Sequence, residues 1–239
     1  MCDSCGCGDS NLVPVEIHER LLAANDHAAR HNRHHLDEHG VVAINLMGSP
    51  GSGKTALLEA TARAHPRLRL AAMSGDLATD HDARRLEAAG IPARSITTGS
   101  ACHLDAEMVH HALHHLDLEH TDVLFVENVG NLVCPAIYDL GEHARVVALS
   151  VTEGEDKPLK YPVMFRDADL VVLTKVDLLP HLEVRVGAIL EALACTMPEP
   201  HLITVSARTG EGIEQWVEWL ERKRDTVRSL ASAAAAASA

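Results

Sequence analysis

One eight-residue loop constrains this chain more than anything else in it. Gly48-Ser49-Pro50-Gly51-Ser52-Gly53-Lys54-Thr55 follows the apolar run VVAINLM and precedes the helix-patterned TALLEATARA. Strand, glycine-rich turn and helix in that order allow backbone N–H groups to curl around a phosphate. The glycines turn without Cβ clashes, and the helix N-terminus adds free amides with partial positive charge. Gly48, Ser49, Gly51, Ser52 and Gly53 are expected to form the cradle. Lys54 is expected to reach the β- and γ-phosphates, and the Thr55 hydroxyl to ligate Mg²⁺. A nucleoside triphosphate is the expected ligand.

A strand feeding such a loop belongs to a sheet, and the pattern around it agrees. Short apolar segments at 41–47, 68–73, 122–126, 146–151, 170–173 and 202–205 alternate with helical patterns at 53–64, 80–89, 104–116, 180–193 and 212–222. This alternation predicts an α/β P-loop NTPase: a mostly parallel central sheet flanked by helices, with a flexible Cys-rich N-terminal tail. Phe, Tyr and Trp total six residues, so the core has to be built from Val, Leu, Ile and Ala. Residues 15–39 carry Ile17, Leu21, Leu22, Ala28, Ala29 and Leu36 at helical spacing and end on Gly40. The last nine residues, ASAAAAASA, are low in complexity and are expected to form a frayed tail rather than an extension of the preceding helix.

The formal net charge of −13 argues against a nucleic-acid partner. No run approaches the roughly 18–20 apolar residues that cross a bilayer, and the polar, Cys-rich start does not read as a secretory signal. A cytoplasmic protein with no membrane partner is therefore expected.

Thr174-Lys175-Val176-Asp177 ends the apolar run LVVL and resembles the base reader of GTPases. The Asp177 carboxylate can accept from guanine N1–H and the 2-amino group, two donors that adenine lacks in that arrangement. Ser206-Ala207, after LITV, fits the second base-contacting loop, where a backbone amide donates to guanine O6. These residues, with Lys175, favour GTP and GDP over ATP. Thr174 stands where an Asn is usual, which predicts a weakened brace for the base pocket. Asp76 and Glu127 each end an apolar segment and are expected to hold Mg²⁺ or orient water, making Lys54, Asp76 and Glu127 the expected catalytic set. Gly130 is expected to donate its N–H to the γ-phosphate and to move on hydrolysis. No glutamine occupies the water-orienting position of small GTPases, so slow intrinsic hydrolysis is expected.

Three of the six cysteines, Cys2, Cys5 and Cys7, form C-x-x-C-G-C at the start of the chain. Their thiolates, with a terminal amine, suit Ni²⁺ in a square-planar field or Zn²⁺ in a tetrahedral one. Cys102-His103 should end near the nucleotide face, and Cys134 lies four residues beyond Gly130. A metal held by Cys102, His103 and Cys134 would respond to which nucleotide is bound. The pairs within His27, His31 and His35, and His110/His114 and His111/His115, are spaced i,i+4 and read as polar helix faces. Cys195 lies outside every motif.

With these residues in view, the chain resembles the HypB family of hydrogenase nickel-incorporation GTPases, which belong to the dimerising P-loop GTPases. The resemblance spans residues 1 to about 220 and is carried by MCDSCGCG, GSPGSGKT, SGDLATDHDARR, TTGSACHL, ENVGNLVCP, YDLGEHARVVALSVTEGEDKPLKYP and TKVDLLP. Urease accessory GTPases share the phosphate loop, but their metal-carrying switch has a Cys-Pro-His arrangement, whereas Ala136 follows Cys134-Pro135 here. The resemblance implies Ni²⁺ insertion into [NiFe]-hydrogenase, with GTP controlling a homodimer and metal release. Partners would be a maturation factor and the hydrogenase large subunit. It implies that Cys2, Cys5 and Cys7 form a tight nickel site, that Cys102, His103 and Cys134 hold Ni²⁺ or Zn²⁺ near the dimer interface, and that the GEDKPLKYP segment containing Lys157 lies near the nucleotide pocket, with no contact assigned to Lys157. The expected organisation is a metal-binding tail at 1–14, a His-bearing helix at 15–39, a GTPase domain at 40–224 and a low-complexity tail at 225–239. A urease-type or other maturation GTPase, or a metal buffer with structural nucleotide binding, are the alternatives.

Overall fold

Most residues of the central strands are hydrophobic and buried, Asn45, Glu127 and Arg145 being the large polar exceptions, and the chain uses that property to build a two-sided core. A computed structural model describes residues 15–76, 79–99 and 101–237, with side chains from residue 22 to residue 233. Seven strands form one sheet: β1 (Val42–Met47), β2 (Leu70–Asp76), β3 (Ala93–Thr97), β4 (Val123–Glu127), β5 (Ala144–Ser150), β6 (Leu170–Thr174) and β7 (Leu202–Thr204). Their order is β3-β2-β4-β1-β5-β6-β7, and all neighbours run parallel. The α-helices among the described residues are α1 (Val15–Glu38), which precedes the sheet, α2 (Lys54–Ala64), α3 (His81–Ala88), α4 (Ala106–Leu113), α5 (Lys157–Lys160), α6 (Pro162–Arg166), α7 (Val186–Ala194) and α8 (Ile213–Ala237), which follows it.

Alternation along each strand sorts the core into two layers. Val42, Ile44 and Leu46 of β1 face the side covered by α2, α3 and α8, where Leu57, Leu86 and Trp216 close the layer. Ala43 of β1 and Leu124 and Val126 of β4 face the other side, with Leu36 of α1 and Val109 and Leu113 of α4. Met164 and Phe165 of α6 and Ile189 and Leu193 of α7 extend that layer beneath β5 and β6. Because all strands point the same way, the β1, β2, β4 and β6 C-termini open on one edge, the place where such sheets bind ligands.

Several elements depart from the expected ones, among them the short helices α5 and α6, and four departures have a clear physical reason. The edge strand β3 was not expected, since its exposed Arg94 and Ser95 conceal an apolar alternation. Helix α4 begins at Ala106 because the Asp105 side chain accepts from the Met108 N–H at 2.8 Å and caps it. The helix expected from Pro180 begins only at Val186. Residues Val176–His181 form a 3₁₀ turn containing that proline, which cannot donate to a helical ladder. Helix α8 does not end near residue 224 but continues to Ala237, so the boundary expected between 224 and 225 falls inside a helix. Val227 is buried there, and Arg228 pairs with Asp122 at 2.6 Å, anchoring the extension to the sheet. Cys2, Cys5 and Cys7 lie outside the described residues.

Candidate nucleotide pocket and metal centre

The phosphate loop lies between β1 and α2 as its sequence requires. Lys54 is buried and donates to the Gly48 and Ser49 carbonyls at 3.2 Å each, so its ammonium is folded over its own loop. Burial lowers its pKa, opposed mainly by the neighbouring Glu127. Thr55 Oγ1 donates to Glu127 Oε1 at 2.7 Å. Burial pushes Glu127 up to about 7, despite the Thr55 hydrogen bond and the Lys54 charge. Its other carboxylate oxygen, Oε2, is buried without a partner among the described atoms. Such an oxygen, next to a hydroxyl and an ammonium, suits a cation or a water held by one. Thr55 and Glu127 thus fit Mg²⁺, and Asp76 lines the same cavity.

That cavity has a volume of about 480 Å³, and Gly51, Gly53, Lys54, Thr55, Asp76, Glu127 and Gly130 are on its wall. Sequence reasoning missed Asp82 and Arg85, which also line it. Arg85 pairs with Asp82 at 3.3 Å within α3, and with Glu59 of α2 at 2.9 Å, the second a pairing between helices that no local spacing announces. Ser49 Oγ donates a short hydrogen bond to Glu153, whose other oxygen caps the Ser150 N–H at 2.9 Å. The Ser-x-x-Glu spacing of a capping box could have revealed Glu153.

A second cavity of about 380 Å³ adjoins the first across Gly53 and Ala56. Thr174, Lys175, Asp177 and Ala207 line it. Ser206 Oγ donates to Asp177 Oδ1 at 2.6 Å, so Ser206 aims the carboxylate while Ala207 lies on the wall. Lys175 takes φ +60°, and its Nζ donates to the Gly51 carbonyl at 2.6 Å. Thr174, where the sequence predicts a weakened brace, makes a hydrogen bond of its own to the phosphate loop. Its hydroxyl donates to the Ser52 carbonyl at 2.5 Å, joining the base reader to the phosphate loop.

The metal-ligand candidates meet beside this pocket. Cys102 Sγ lies 3.0 Å from Cys134 Sγ and 3.7 Å from His103 Nδ1. All three donor atoms are within 4.8 Å of one another, a spacing one ion can bridge. His103 stacks on Tyr138 at 4.0 Å between ring centroids, and burial lowers its pKa, keeping a neutral imidazole available. The hydrogen bond from Cys102 and partial burial raise the Cys134 thiol.

The loop from Glu127 to Cys134 touches both places. Gly130 packs so closely on Pro50 that a Cβ would meet it at 2.9 Å, and Gly48 bridges Asn131. Asn128 Oδ1 accepts from the Leu104 N–H at 3.2 Å, and its amide donates to Asn45 Oδ1 at 3.2 Å. Asn131 donates to the Cys102 carbonyl at 3.3 Å. Asn128, Asn131 and Tyr138 were not anticipated; a polar Asn at a buried strand end was the available signal. Lys157 lies at the start of α5 with its ammonium 5.2 Å from the Tyr161 ring centroid, and it does not line the nucleotide cavity.

The site can be set against known proteins. Residues 42–199 match the family model for the CobW/HypB/UreG nucleotide-binding domain. The hydrogenase maturation factor HypB of Azotobacter vinelandii is 51% identical over 222 residues, which cover 92% of this chain and 73% of that protein. The crystal structure of Helicobacter pylori HypB in complex with nickel superposes with a TM-score of 0.82 at 40% identity, covering 85% of this chain and 97% of that one. The HypB structure from Archaeoglobus fulgidus gives 0.78 at 42% identity, with 85% of this chain and all of that one covered (100%). A phosphate loop, a guanine-type reader and a Cys-His-Cys group on one sheet edge, in a chain matched over most of its length, place it in the CobW/HypB/UreG family, on the HypB branch.

Proposed function

We propose that this chain is a GTP-hydrolysing nickel metallochaperone that delivers Ni²⁺ to [NiFe]-hydrogenase during maturation. The observation that carries the reading is the single loop running from Glu127, against the phosphate site, to Cys134, in the metal group. Asp177 selects guanine, and Ser206 fixes the orientation of its carboxylate. Lys54 leaves its own loop carbonyls to meet the β- and γ-phosphates, while the Gly130 N–H follows the γ-phosphate. Mg²⁺ would be held by Thr55, Glu127 and Asp76, and when bound it neutralises charge developing on the phosphates. Glu127, whose pKa lies near neutrality, accepts or orients the proton of attacking water. With no glutamine to position that water, turnover is slow.

Nickel is the cargo, and zinc is a competing ion at the same donors. Cys102, His103 and Cys134 supply three ligands and leave a fourth position for transfer. The exposed Val133 and Ile137 flank Cys134 and give a second copy of the chain an apolar surface, so nucleotide state governs dimerisation and metal release. Cys2, Cys5 and Cys7 hold nickel more tightly before transfer. The work is done in the cytoplasm with a maturation partner and the hydrogenase large subunit. No helix among the described residues is long and apolar enough to cross a membrane.

Titrating Ni²⁺ or Zn²⁺ into the full chain with GDP or a slowly hydrolysed GTP analogue, while reading affinity and molecular mass, tests this coupling. The affinity and mass should both differ between nucleotides, and Cys134→Ala should remove the metal's effect on GTP hydrolysis. Equal affinity with both nucleotides, or an unchanged metal effect in the variant, would defeat the proposal.

A further inference from the structure

The i,i+4 histidines of α1 and α4, which their sequences present as two separate polar faces, lie against each other. Asn25 and Asn32 of α1 stitch the helices together: the Ala106 N–H donates to Asn25 Oδ1 at 2.9 Å, and Asn32 Nδ2 donates to the Ala106 carbonyl at 2.7 Å. Asn32 Nδ2 also donates to the Leu140 carbonyl at 3.1 Å, which fixes the orientation of this fully buried amide. Its Oδ1 must then be the atom facing His110 Nδ1, 3.2 Å away. An oxygen acceptor there requires Nδ1 to carry the proton, and leaves His110 Nε2 with a free lone pair. A backbone-anchored amide holding one ring nitrogen so that the other can bind is the usual support of a metal-ligating histidine.

His110 Nε2 points at His114 Nε2, at 3.4 Å. That is long for a hydrogen bond between two rings. Two imidazole nitrogens on one tetrahedral Zn²⁺, each about 2.0–2.1 Å from it, stand roughly 3.3–3.4 Å apart. The neighbouring rings are close, but among the described residues only Cys102, His103 and Cys134 have three donor atoms within 4.8 Å of one another, so a third imidazole joins this pair by rotating about its side chain. Imidazoles sharing such an ion have centroids roughly 5 Å apart; His110 and His114 are at 4.8 Å, and His31 and His110 at 5.0 Å. His35 follows at 6.3 Å from His114. Burial and the surrounding imidazoles hold His110 and His35 below the ordinary histidine range, so both are neutral bases at pH 7.

We propose that His110 and His114, completed by His31 and His35 from the facing helix, bind one borderline divalent cation such as Zn²⁺ or Ni²⁺ at a site distinct from Cys102, His103 and Cys134. Its donors are all imidazole nitrogens, so it binds more weakly and exchanges faster than thiolate sites. His110 lies within α4 and His114 is its C-cap, on the helix that follows His103 in the chain. The site does not depend on the nucleotide reading: it would exist in a chain that never hydrolysed GTP.

Zn²⁺ titration of the full chain after carboxamidomethylation of its cysteines tests it, with Co²⁺ as the spectroscopic probe. One ion per chain should remain, and its Co²⁺ spectrum should lack thiolate charge-transfer bands. The double variant His110→Gln/His114→Gln should weaken Zn²⁺ by ~10–100-fold, and His31→Gln/His35→Gln by several-fold. The control His111→Gln/His115→Gln, on the outer side of α4, should bind like the parent. Failure of the alkylated chain to retain Zn²⁺ overturns the proposal. So does parental affinity in either of the first two variants, or an equal loss in the control. Thermal melts of each variant separate lost binding from lost folding.

Discussion

Strand β4 has a buried carboxylate at each end, and the two are treated in opposite ways. Asp122, just before the strand, is gripped by Arg69 at 2.7 Å and Arg228 at 2.6 Å and accepts from the Arg69 N–H at 3.0 Å. Burial alone would raise its pKa, but the two guanidinium groups and that N–H overrule it and hold the carboxyl well below the usual range. Glu127, at the far end, has a hydroxyl on one oxygen, nothing among the described atoms on the other, and a pKa raised to about 7. One end of the strand is saturated with counter-charge and closes the fold, tying β2, β4 and α8 together. The other is left short of partners and opens onto the phosphate cavity. Polar groups lacking their full complement mark the reactive edge of this sheet, and complete ones mark its base.

The largest expected effect breaks the reactive edge outright. Lys54→Ala removes the cation beside Glu127 and the lysine that lines the phosphate cavity. Hydrolysis measured by phosphate release should fall by ~10³-fold, while the fold, followed by thermal melting, survives. A variant hydrolysing GTP at the parental rate would mean that the cavity's polarity has no bearing on phosphoryl transfer.

The next effect belongs to the base. Asp122→Ala leaves two guanidinium groups without their shared acceptor. Full burial of such a pair would cost about 3–5 kcal/mol on removal. Arg69 and Arg228 are 47% and 40% exposed, so solvent screening reduces the expected loss to about 2–3 kcal/mol. The sign with pH follows from the depressed pKa: this stabilisation is present above the unfolded carboxylate pKa of about 4 and is lost as pH falls below it. Urea unfolding at pH 7 and pH 3 should show the variant's deficit shrinking toward acid. A deficit independent of pH would mean the interaction is packing rather than charge.

Glu127→Gln should do the reverse. A carboxyl raised in the folded chain binds a proton that the unfolded chain has already released, so stability declines as pH rises from about 4.5 to 7. Replacing it by an amide, in EDTA and without nucleotide, should therefore stabilise the fold by about 2 kcal/mol at pH 8 and much less at pH 5. GTP hydrolysis should drop in the same variant. Stability gained where activity is lost would sharpen the contrast between the two ends; a stability loss at pH 8 would erase it.

How much of this could be read beforehand depended on sequence distance. The phosphate loop was legible because strand, glycines, Lys54 and Thr55 are contiguous, and Asp177 because its neighbours form a short motif. Cys102, His103 and Cys134 were legible as a group only through the inference that residues 102 and 134 end on one sheet edge; the structure brings them within 4.8 Å. The partners that organise these residues were not legible, because they act across the fold. Asn128 reaches Leu104 across 24 positions, and Arg228 reaches Asp122 across 106. The exposed β3 hides its alternation, and α8's alanine-rich end gives no sign of the buried Val227 that precedes it.

Thr174 offers the finest test, because the sequence predicts a weakened brace where the structure has a hydrogen bond to the phosphate loop. Its hydroxyl spans 122 positions to the Ser52 carbonyl, joining the end of β6 to the loop that cradles phosphate. Thr174 is 4% exposed, so the hydrogen bond is made away from water and its removal leaves a carbonyl poorly satisfied. Thr174→Val keeps the shape and deletes only the hydroxyl, and should cost about 1 kcal/mol of stability, read by urea unfolding. Guanine-nucleotide affinity should fall a few-fold with it, since a slackened Ser52 loosens the cradle from the base reader. If GDP binding were untouched while stability fell, Thr174 would belong with Asp122 among the groups that only close the fold, although it lies at the reactive edge.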